Sequence, residues 1–132
     1  MKHVVVGIIS RTNKQDEQEY LLVCSKRDFG EFSGFYYPPG GHIEDEENEK
    51  DTLIREIREE LDIEIEPIKK VTEAPGDIRD QMTCWWSCRL DTNQELTIDT
   101  TEIADADWFT KDQMSEMNIW PATRNFFKEY VF

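Results

Sequence analysis

Three glutamates near the middle of the chain have the type and spacing to hold a metal ion. Glu56, Glu59 and Glu60 lie in the segment REIREE. In a helix, at about 100° of rotation per residue, they fall within roughly a third of the circumference, so their carboxylates converge. Such carboxylates repel unless a cation lies between them, and Mg²⁺ is a hard divalent ion that also holds phosphate-bearing substrates. The spacing therefore predicts a site that binds Mg²⁺ together with a phosphate-bearing substrate.

The competing interpretation of the same segment is a solvated acidic helix. An amphipathic helix with an acidic outer face is common, and REIREE alone would form a salt-bridged surface in most proteins. The glycine loop that precedes it, ending at Gly40-Gly41, favours the metal site.

The helix that carries these glutamates is predicted to run from a cap at Asn48 to about Leu61. Asp62 follows the last turn, where a left-handed backbone is required. The glutamates lie off the apolar stripe, which consists of Leu53, Ile54, Ile57 and Leu61.

Strands are predicted on both sides of this helix, and further helices at the end of the chain. The predicted strands are 4–10 and 19–25, which form a hairpin, then 63–71, 82–90, 95–101 and 107–109, with a turn at 92–94. Thr110 and Gln113 match a capping box that opens a short helix through Met117, and residues 122–131 form a closing helix with Phe126, Phe127 and Tyr130 on one face. This order predicts a mixed α/β sandwich, formed by residues 1–132 as one domain.

The composition excludes several classes of function. The formal net charge of −14 repels nucleic acid and anionic membrane surfaces. No stretch approaches eighteen apolar residues, so no membrane span is expected. The three cysteines form no CxxC pair, which indicates neither disulfides nor zinc and fits reduced thiols in a cytoplasm.

The acidic helix belongs to a longer pattern with fixed spacing. Its residues are Gly41, Glu47, Arg55, Glu56, Ile57, Glu59, Glu60 and Ile63. This resembles the Nudix box, G-x5-E-x7-R-E-U-x-E-E-x-G-U, where U is aliphatic. The one departure is Asp62 in place of the last glycine, which alters a backbone hinge and removes no acid. The predicted strand, loop, helix and strand supply the expected context for so specific a motif.

The resemblance implies a set of site residues and an α/β/α sandwich fold with one central catalytic helix. The implied metal ligands are the carbonyl of Gly40 and the side chains of Glu56, Glu59, Glu60 and Glu102. Arg55 is expected to pair with Glu47 and orient the ligands. Glu56 is the expected general base, with Glu102 or Glu59 as alternatives.

Candidate substrate contacts lie outside the box. Glu102 and the tryptophan-rich strand 83–90 resemble parts of MutT-type nucleoside triphosphate pyrophosphohydrolases. In that type an asparagine before the final helix reads the purine, and Thr123 stands near that place here, which argues against specificity for oxidised guanine. The candidates for phosphate or base contact are Lys26, Arg27, Tyr37, Arg79 and Thr123.

The expected reaction is hydrolysis of a nucleoside diphosphate linked to another moiety, with Mg²⁺ as cofactor and Mn²⁺ able to substitute. A nucleoside triphosphate would give the monophosphate and pyrophosphate. Ala74-Pro75-Gly76 resembles the turn of ADP-ribose pyrophosphatases, although its offset from Ile63 is short. A nucleotide sensor is the non-enzymatic alternative, and it would usually lack a box acid, whereas this chain retains them all. The resemblance also leaves room for a homodimer.

Overall fold

A computed structural model describes residues 1–91 and 93–132. The strands are β1 (Lys2–Thr12), β2 (Gln18–Ser25), β3 (Tyr36–Tyr37), β4 (Gly40–His42), β5 (Glu66–Pro75), β6 (Gln81–Arg89) and β7 (Ile103–Thr110). The helices are α1 (Glu49–Leu61), α2 (Lys111–Ser115) and α3 (Pro121–Phe126), with a 3-10 turn at Gly30–Phe32 and a π-helical turn at Phe127–Val131. No helix in the described part of the chain is long and apolar enough to cross a bilayer.

Strand β1 organises the sheet because it is paired along both edges. β6 runs parallel along one edge, from the Lys2–Gln81 pair to the Ile9–Cys88 pair. On the other edge, β4 pairs antiparallel with the first half of β1, whereas β2 pairs only with its last three residues. This edge therefore changes partner partway along the strand. The predicted opening hairpin exists, but only at the tip of the two strands.

The sheet is covered on both faces, which confirms the predicted α/β/α sandwich. On one face, Leu53, Ile57 and Leu61 of α1 pack in a cluster that includes Cys84 and Trp86 of β6. On the other face, Trp85 packs with residues of α2, α3 and the π-helical turn, namely Met114, Phe126 and Phe127. The alternation of side chains along a strand places Trp85 and Trp86 in different clusters, as their positions predict.

Helix α1 has the boundaries that its sequence predicts. The side chain of Asn48 accepts a hydrogen bond from the backbone N–H of Asp51 at 2.8 Å and caps the first turn. Asp62 adopts the left-handed conformation with φ of 54°, so an aspartate serves where the family motif has glycine. The glutamate-bearing face is therefore held in a defined orientation over the sheet.

Several predicted elements differ in the structure. Residues 95–101 form no strand, because the N–H groups of Thr97 and Asp99 bond the last carbonyls of α1 instead of a strand partner. The strand predicted at 63–71 is β5 and begins only at Glu66, while β7 is longer than 107–109. Helix α2 ends at Ser115, although its capping box is present. Tyr130 is exposed, and the closing helix changes to π-helical geometry at Phe127. The predicted turn at 92–94 begins at Thr92, which lies outside the described residues.

Candidate active site

A cleft of about 1050 Å³ opens where the edge of β1 changes partner from β4 to β2. Its walls come from β1 and β4, from the residues that follow β2, from the turn 76–80 between β5 and β6, and from the start of α3. The end of α1 and the start of β7 form part of its floor. The cleft therefore collects segments that are distant in sequence.

Most of the residues singled out by sequence line this cleft. They are Lys26, Arg27, Tyr37, Gly40, Glu56, Glu60, Arg79, Glu102 and Thr123. Glu47, Arg55 and Glu59 do not belong to its lining. The side chain of Glu59 is 60% exposed, whereas Glu60 as a whole residue is only 9% exposed.

The centre of the site is a crowded group of carboxylates. Burial raises the pKa of Glu60 to about 8, and the charges of Glu56, Glu102 and Glu59 add to this effect. Burial also raises the pKa of Glu56, against the opposing effect of Arg55. Glu102 lines the same cleft as Glu60, in the segment after Asp99, whose N–H donates to the carbonyl of Glu60. The arrangement concentrates negative charge in a half-buried position, where a cation would relieve it.

The donor set suits a hard divalent cation, since every side chain in it offers carboxylate oxygen. In the structure Arg55 Nη1 bridges two of these carboxylates, since it donates to Glu56 Oε1 at 3.1 Å and to Glu59 Oε2 at 3.3 Å. Elsewhere in the described residues, three possible ligand atoms do lie within 4.8 Å of one another. They belong to Glu49, Glu73 and Cys84.

The two carboxylates of this second group are already paired with a cation, the side chain of Lys70. Lys70 Nζ donates to Glu49 Oε2 at 3.0 Å and to Glu73 Oε1 at 2.8 Å, and Trp86 Nε1 donates to the other oxygen of Glu49 at 2.9 Å. Burial raises the pKa of the Cys84 thiol to about 12, so it stays protonated. The group is an ion-paired network that joins β5, β6 and α1.

Arg55 and Glu47 form an ion pair, the pairing that the resemblance implies, and its geometry is bidentate. Arg55 Nε and Nη2 donate to the two oxygens of Glu47 at 2.7 and 2.9 Å. Glu47 Oε1 also accepts from the hydroxyl of buried Thr52 at 3.1 Å and from the backbone N–H of Glu44 at 3.3 Å. The ion pair therefore holds the loop before α1 against the helix. Arg55 Nη1 also donates a hydrogen bond to Glu56, so the same arginine restrains that carboxylate.

The two glycines before the helix are required by different close approaches. A Cβ on Gly41 would lie 2.6 Å from Cγ of Glu56, and a Cβ on Gly40 would lie 2.8 Å from the carbonyl carbon of Val5. The first obstacle is a side chain that can move, whereas the second is the backbone of β1. The motif glycine Gly41 thus leaves room for the side chain of Glu56 in the cleft.

Alanine at these two positions is expected to separate activity from folding. We expect Gly41→Ala to fold and to lose activity by about a hundredfold, because Glu56 is displaced. Gly40→Ala should destabilise the fold by about 3 kcal/mol, because strands β1 and β4 must separate. Thermal unfolding and initial rates measure the two effects. Equal loss of stability in both variants would contradict this distinction.

The position of Glu102 depends on the preceding residues 95–101, which form no strand. Asp99 N–H donates to the carbonyl of Glu60 at 2.8 Å, which brings this segment against the end of α1. The backbone N–H of Lys26 donates to the carbonyl of Glu102 at 2.9 Å, which ties the same segment to the end of β2. These two hydrogen bonds hold the segment of Glu102 close to Glu60 and to Lys26.

Sequence reasoning missed the aromatic wall of the cleft. Trp120 is 8% exposed, lines the cleft, and its indole Nε1 has no hydrogen-bond partner within the described structure. Phe29 and Phe32 contact it with ring centroids 5.2 and 4.8 Å away. The guanidinium of Arg27 lies over Phe29 at 5.3 Å. The aromatic residues of the 29–37 loop and the tryptophan before Pro121 were the available signal.

A carboxylate centre, nearby cations and an aromatic wall in one cleft suit a protein that binds a metal ion together with a phosphate-bearing ligand. The NUDIX domain family model matches residues 1–130, and the chain therefore belongs to the Nudix family. Hydrolases of this family act on nucleoside diphosphate derivatives and generally use divalent metal ions, and this chain is an enzyme of that kind.

Solved structures with the same fold share little sequence with this chain. The NUDIX domain of Shewanella oneidensis NrtR, complexed with ADP ribose, is 20% identical with a TM-score of 0.77, covering 96% of this chain and 84% of that one. A C. elegans Ap4A hydrolase is 15% identical with a TM-score of 0.78, covering 98% and 95%. The MutT protein of Methanosarcina mazei Go1 is 20% identical with a TM-score of 0.75, covering 97% and 91%. No curated protein matches the sequence.

Proposed function

We propose that the protein hydrolyses a nucleoside triphosphate, ribo or deoxyribo, to the monophosphate and pyrophosphate in the presence of Mg²⁺. The observation that carries this proposal is the composition of the cleft, which holds the carboxylate centre of Glu56, Glu60 and Glu102 together with basic side chains and the aromatic wall. One nucleotide needs all three surfaces at once. The carboxylates suit the metal, the basic groups suit the phosphates and the aromatic rings suit the base.

The phosphate end of the cleft is assigned to the side where Lys26 and Arg27 follow β2. Lys26 is bonded through its backbone to Glu102, and its Nζ contacts the carbonyl of Thr100. These cations therefore stand next to the carboxylate centre, in a chain whose net charge of −14 would otherwise repel a polyphosphate. Arg79, on the 76–80 turn, offers a further cation to the same cleft.

Glu56, Glu59, Glu60 and Glu102, with the carbonyl of Gly40, would hold the divalent ions, and the ions would supply neutralisation of phosphate charge and a more acidic bound water. Glu56 is assigned the role of general base, with Glu102 and Glu59 as alternatives. Its position in the cleft, beside Glu60, suits a carboxylate that accepts a proton during attack on phosphorus. Arg55, held by Glu47, keeps that carboxylate in place.

The nucleoside end is assigned to the wall formed by Trp120, Phe29 and Thr123, which adjoins Arg27 where its guanidinium lies over Phe29. Trp120 supports this assignment, because it lines the cleft and an aromatic ring can pack against a base. Tyr37 also lines the cleft, and burial together with the charge of Glu60 raises its pKa to about 12.

ADP-ribose hydrolysis is the second candidate function. Gly76, the last residue of the Ala74-Pro75-Gly76 segment, lines the cleft, so this turn is placed to contact a substrate. The two reactions give different products, since a nucleoside triphosphate releases pyrophosphate whereas ADP-ribose yields AMP and ribose phosphate.

A product-release screen with Mg²⁺ tests the proposal. The purified protein is incubated with common and oxidised nucleoside triphosphates, ADP-ribose, dinucleoside polyphosphates and NADH, with EDTA-treated samples as controls. We expect metal-dependent release of pyrophosphate from at least one triphosphate, with the monophosphate in equal amount. Turnover of ADP-ribose alone would favour the second candidate, and binding without turnover of any compound would favour a nucleotide sensor.

A further inference from the structure

The turn between β5 and β6 is tied to the start of α3 across the cleft. The carboxylate of Asp77, in this turn, accepts a hydrogen bond from the backbone N–H of Ala122 at 2.9 Å, although the residues are 45 positions apart. Asp77, Ala122 and their neighbours Ile78, Arg79 and Thr123 all line the cleft. The bond therefore joins two of its walls.

Helix α3 needs this contact because its own sequence supplies no cap. Trp120, at the N-cap position, makes no side-chain capping bond, and Pro121 has no N–H to satisfy. The N–H of Ala122 is thus the first free donor of the helix, and Asp77 caps it from another part of the chain. A carboxylate near a helix N-terminus is also favoured by the helix dipole.

The residues just before α3 are fixed on their other side by β3. Trp120 N–H donates to the carbonyl of Tyr36 at 3.1 Å, and Tyr36 N–H donates to the carbonyl of Asn118 at 2.9 Å. Trp120 is consequently held between β3 and the helix start that Asp77 caps. The turn itself is secured at its base, where Lys2 N–H donates to the carbonyl of Asp80 at 3.0 Å.

We propose that Asp77 is a positioning residue that sets the width of the nucleoside end of the cleft by capping α3 through Ala122. This inference rests on the proposed function, because it assigns that end of the cleft to the nucleoside. Asp77 accepts its hydrogen bond from α3, and the described residues show none between Asp77 and Glu56, Glu60 or Glu102, so we expect it to govern how tightly the nucleotide is held and to leave the chemical step unchanged. Loss of the cap lets Trp120 and Thr123 move relative to Arg79.

Two substitutions at one position test the proposal. Asp77→Ala removes the acceptor, whereas Asp77→Asn retains a side-chain oxygen that can accept from Ala122. We expect Asp77→Ala to raise KM for the preferred nucleoside triphosphate roughly tenfold with kcat unchanged, as a lost hydrogen bond to a charged group implies. Asp77→Asn should recover most of the affinity. Asp112→Ala, an exposed aspartate of α2 outside the cleft lining, is the matched control.

The outcomes distinguish this inference from the proposed function. Amide hydrogen exchange at Ala122 should be faster in Asp77→Ala than in the wild type and nearly normal in Asp77→Asn. If the wild type turns over a nucleotide and Asp77→Ala leaves its KM unchanged, the inference alone fails. A fall in kcat equal to the rise in KM would also overturn it, since that indicates general disruption. If the wild type hydrolyses no nucleotide in the screen, the proposed function fails and the inference fails with it.

Discussion

Replacing Glu56 with glutamine is expected to lower kcat by about a hundredfold to ten-thousandfold, the range of a lost general base. Glutamine keeps the size of the side chain and one oxygen, but it accepts no proton at neutral pH. The fold should survive, because the substitution removes a half-buried charge that burial and the charge of Glu59 oppose. Initial rates over a range of triphosphate and Mg²⁺ concentrations measure the effect.

Matched glutamine variants decide which acid is the base. Asp51→Asn, on the exposed side of the same helix and outside the cleft lining, should leave kcat unchanged. Glu102→Gln and Glu59→Gln should weaken metal affinity and be partly rescued by more Mg²⁺, whereas Glu56→Gln should not be rescued. A larger loss of kcat in Glu102→Gln at saturating metal would transfer the role of base to Glu102.

The sequence was most informative where the relevant interactions are local. The helical spacing of Leu53 and Ile57, the cap at Asn48 and the left-handed Asp62 depend on neighbouring residues, and each is present as predicted. The ion pair of Arg55 with Glu47 joins one loop to one helix, and it was implied by the resemblance of the motif. Local chemistry therefore predicted α1 and the convergence of its carboxylates, and the resemblance added the ion pair.

The rest of the cleft depends on contacts between distant segments. No periodicity in residues 95–101 reveals that their N–H groups will bond the carbonyls of Glu60 and Leu61, so a weak strand was predicted there. In the same way, the position of Trp120 in the cleft depends on its hydrogen bond to Tyr36. It also depends on the hydrogen bond from Ala122, at the start of α3, to Asp77. A segment whose partners lie elsewhere in the fold carries no local signal of them.

The crowding of the carboxylates links the site to the stability of the whole domain. The metal-free protein is expected to lose stability as the pH rises from 5 to 8. In the folded chain Glu60 retains its proton up to a pKa of about 8, whereas in the unfolded chain it releases it near 4.5. Between these values the folded state binds more protons, so the free energy of unfolding falls as pH increases. The loss should be on the order of a few kcal/mol, which corresponds to roughly 5 to 10 °C in Tm.

Thermal unfolding of EDTA-treated protein at pH 5, 6, 7 and 8 measures this loss, with Glu60→Gln as the comparison. The variant should show a flatter profile and a higher Tm at pH 8, because its neutral amide has no charge to bury. His42, whose pKa is lowered by burial and by Lys2, opposes the trend, but it is present in both proteins and cancels in the comparison. Glu47 does not contribute in this window, since Arg55 holds its pKa at about 2. Added Mg²⁺ should restore the wild type at pH 8 and have little effect on the variant. Parallel profiles for the two proteins would show that Glu60 is ionised without cost, and the carboxylate centre would then not require a cation.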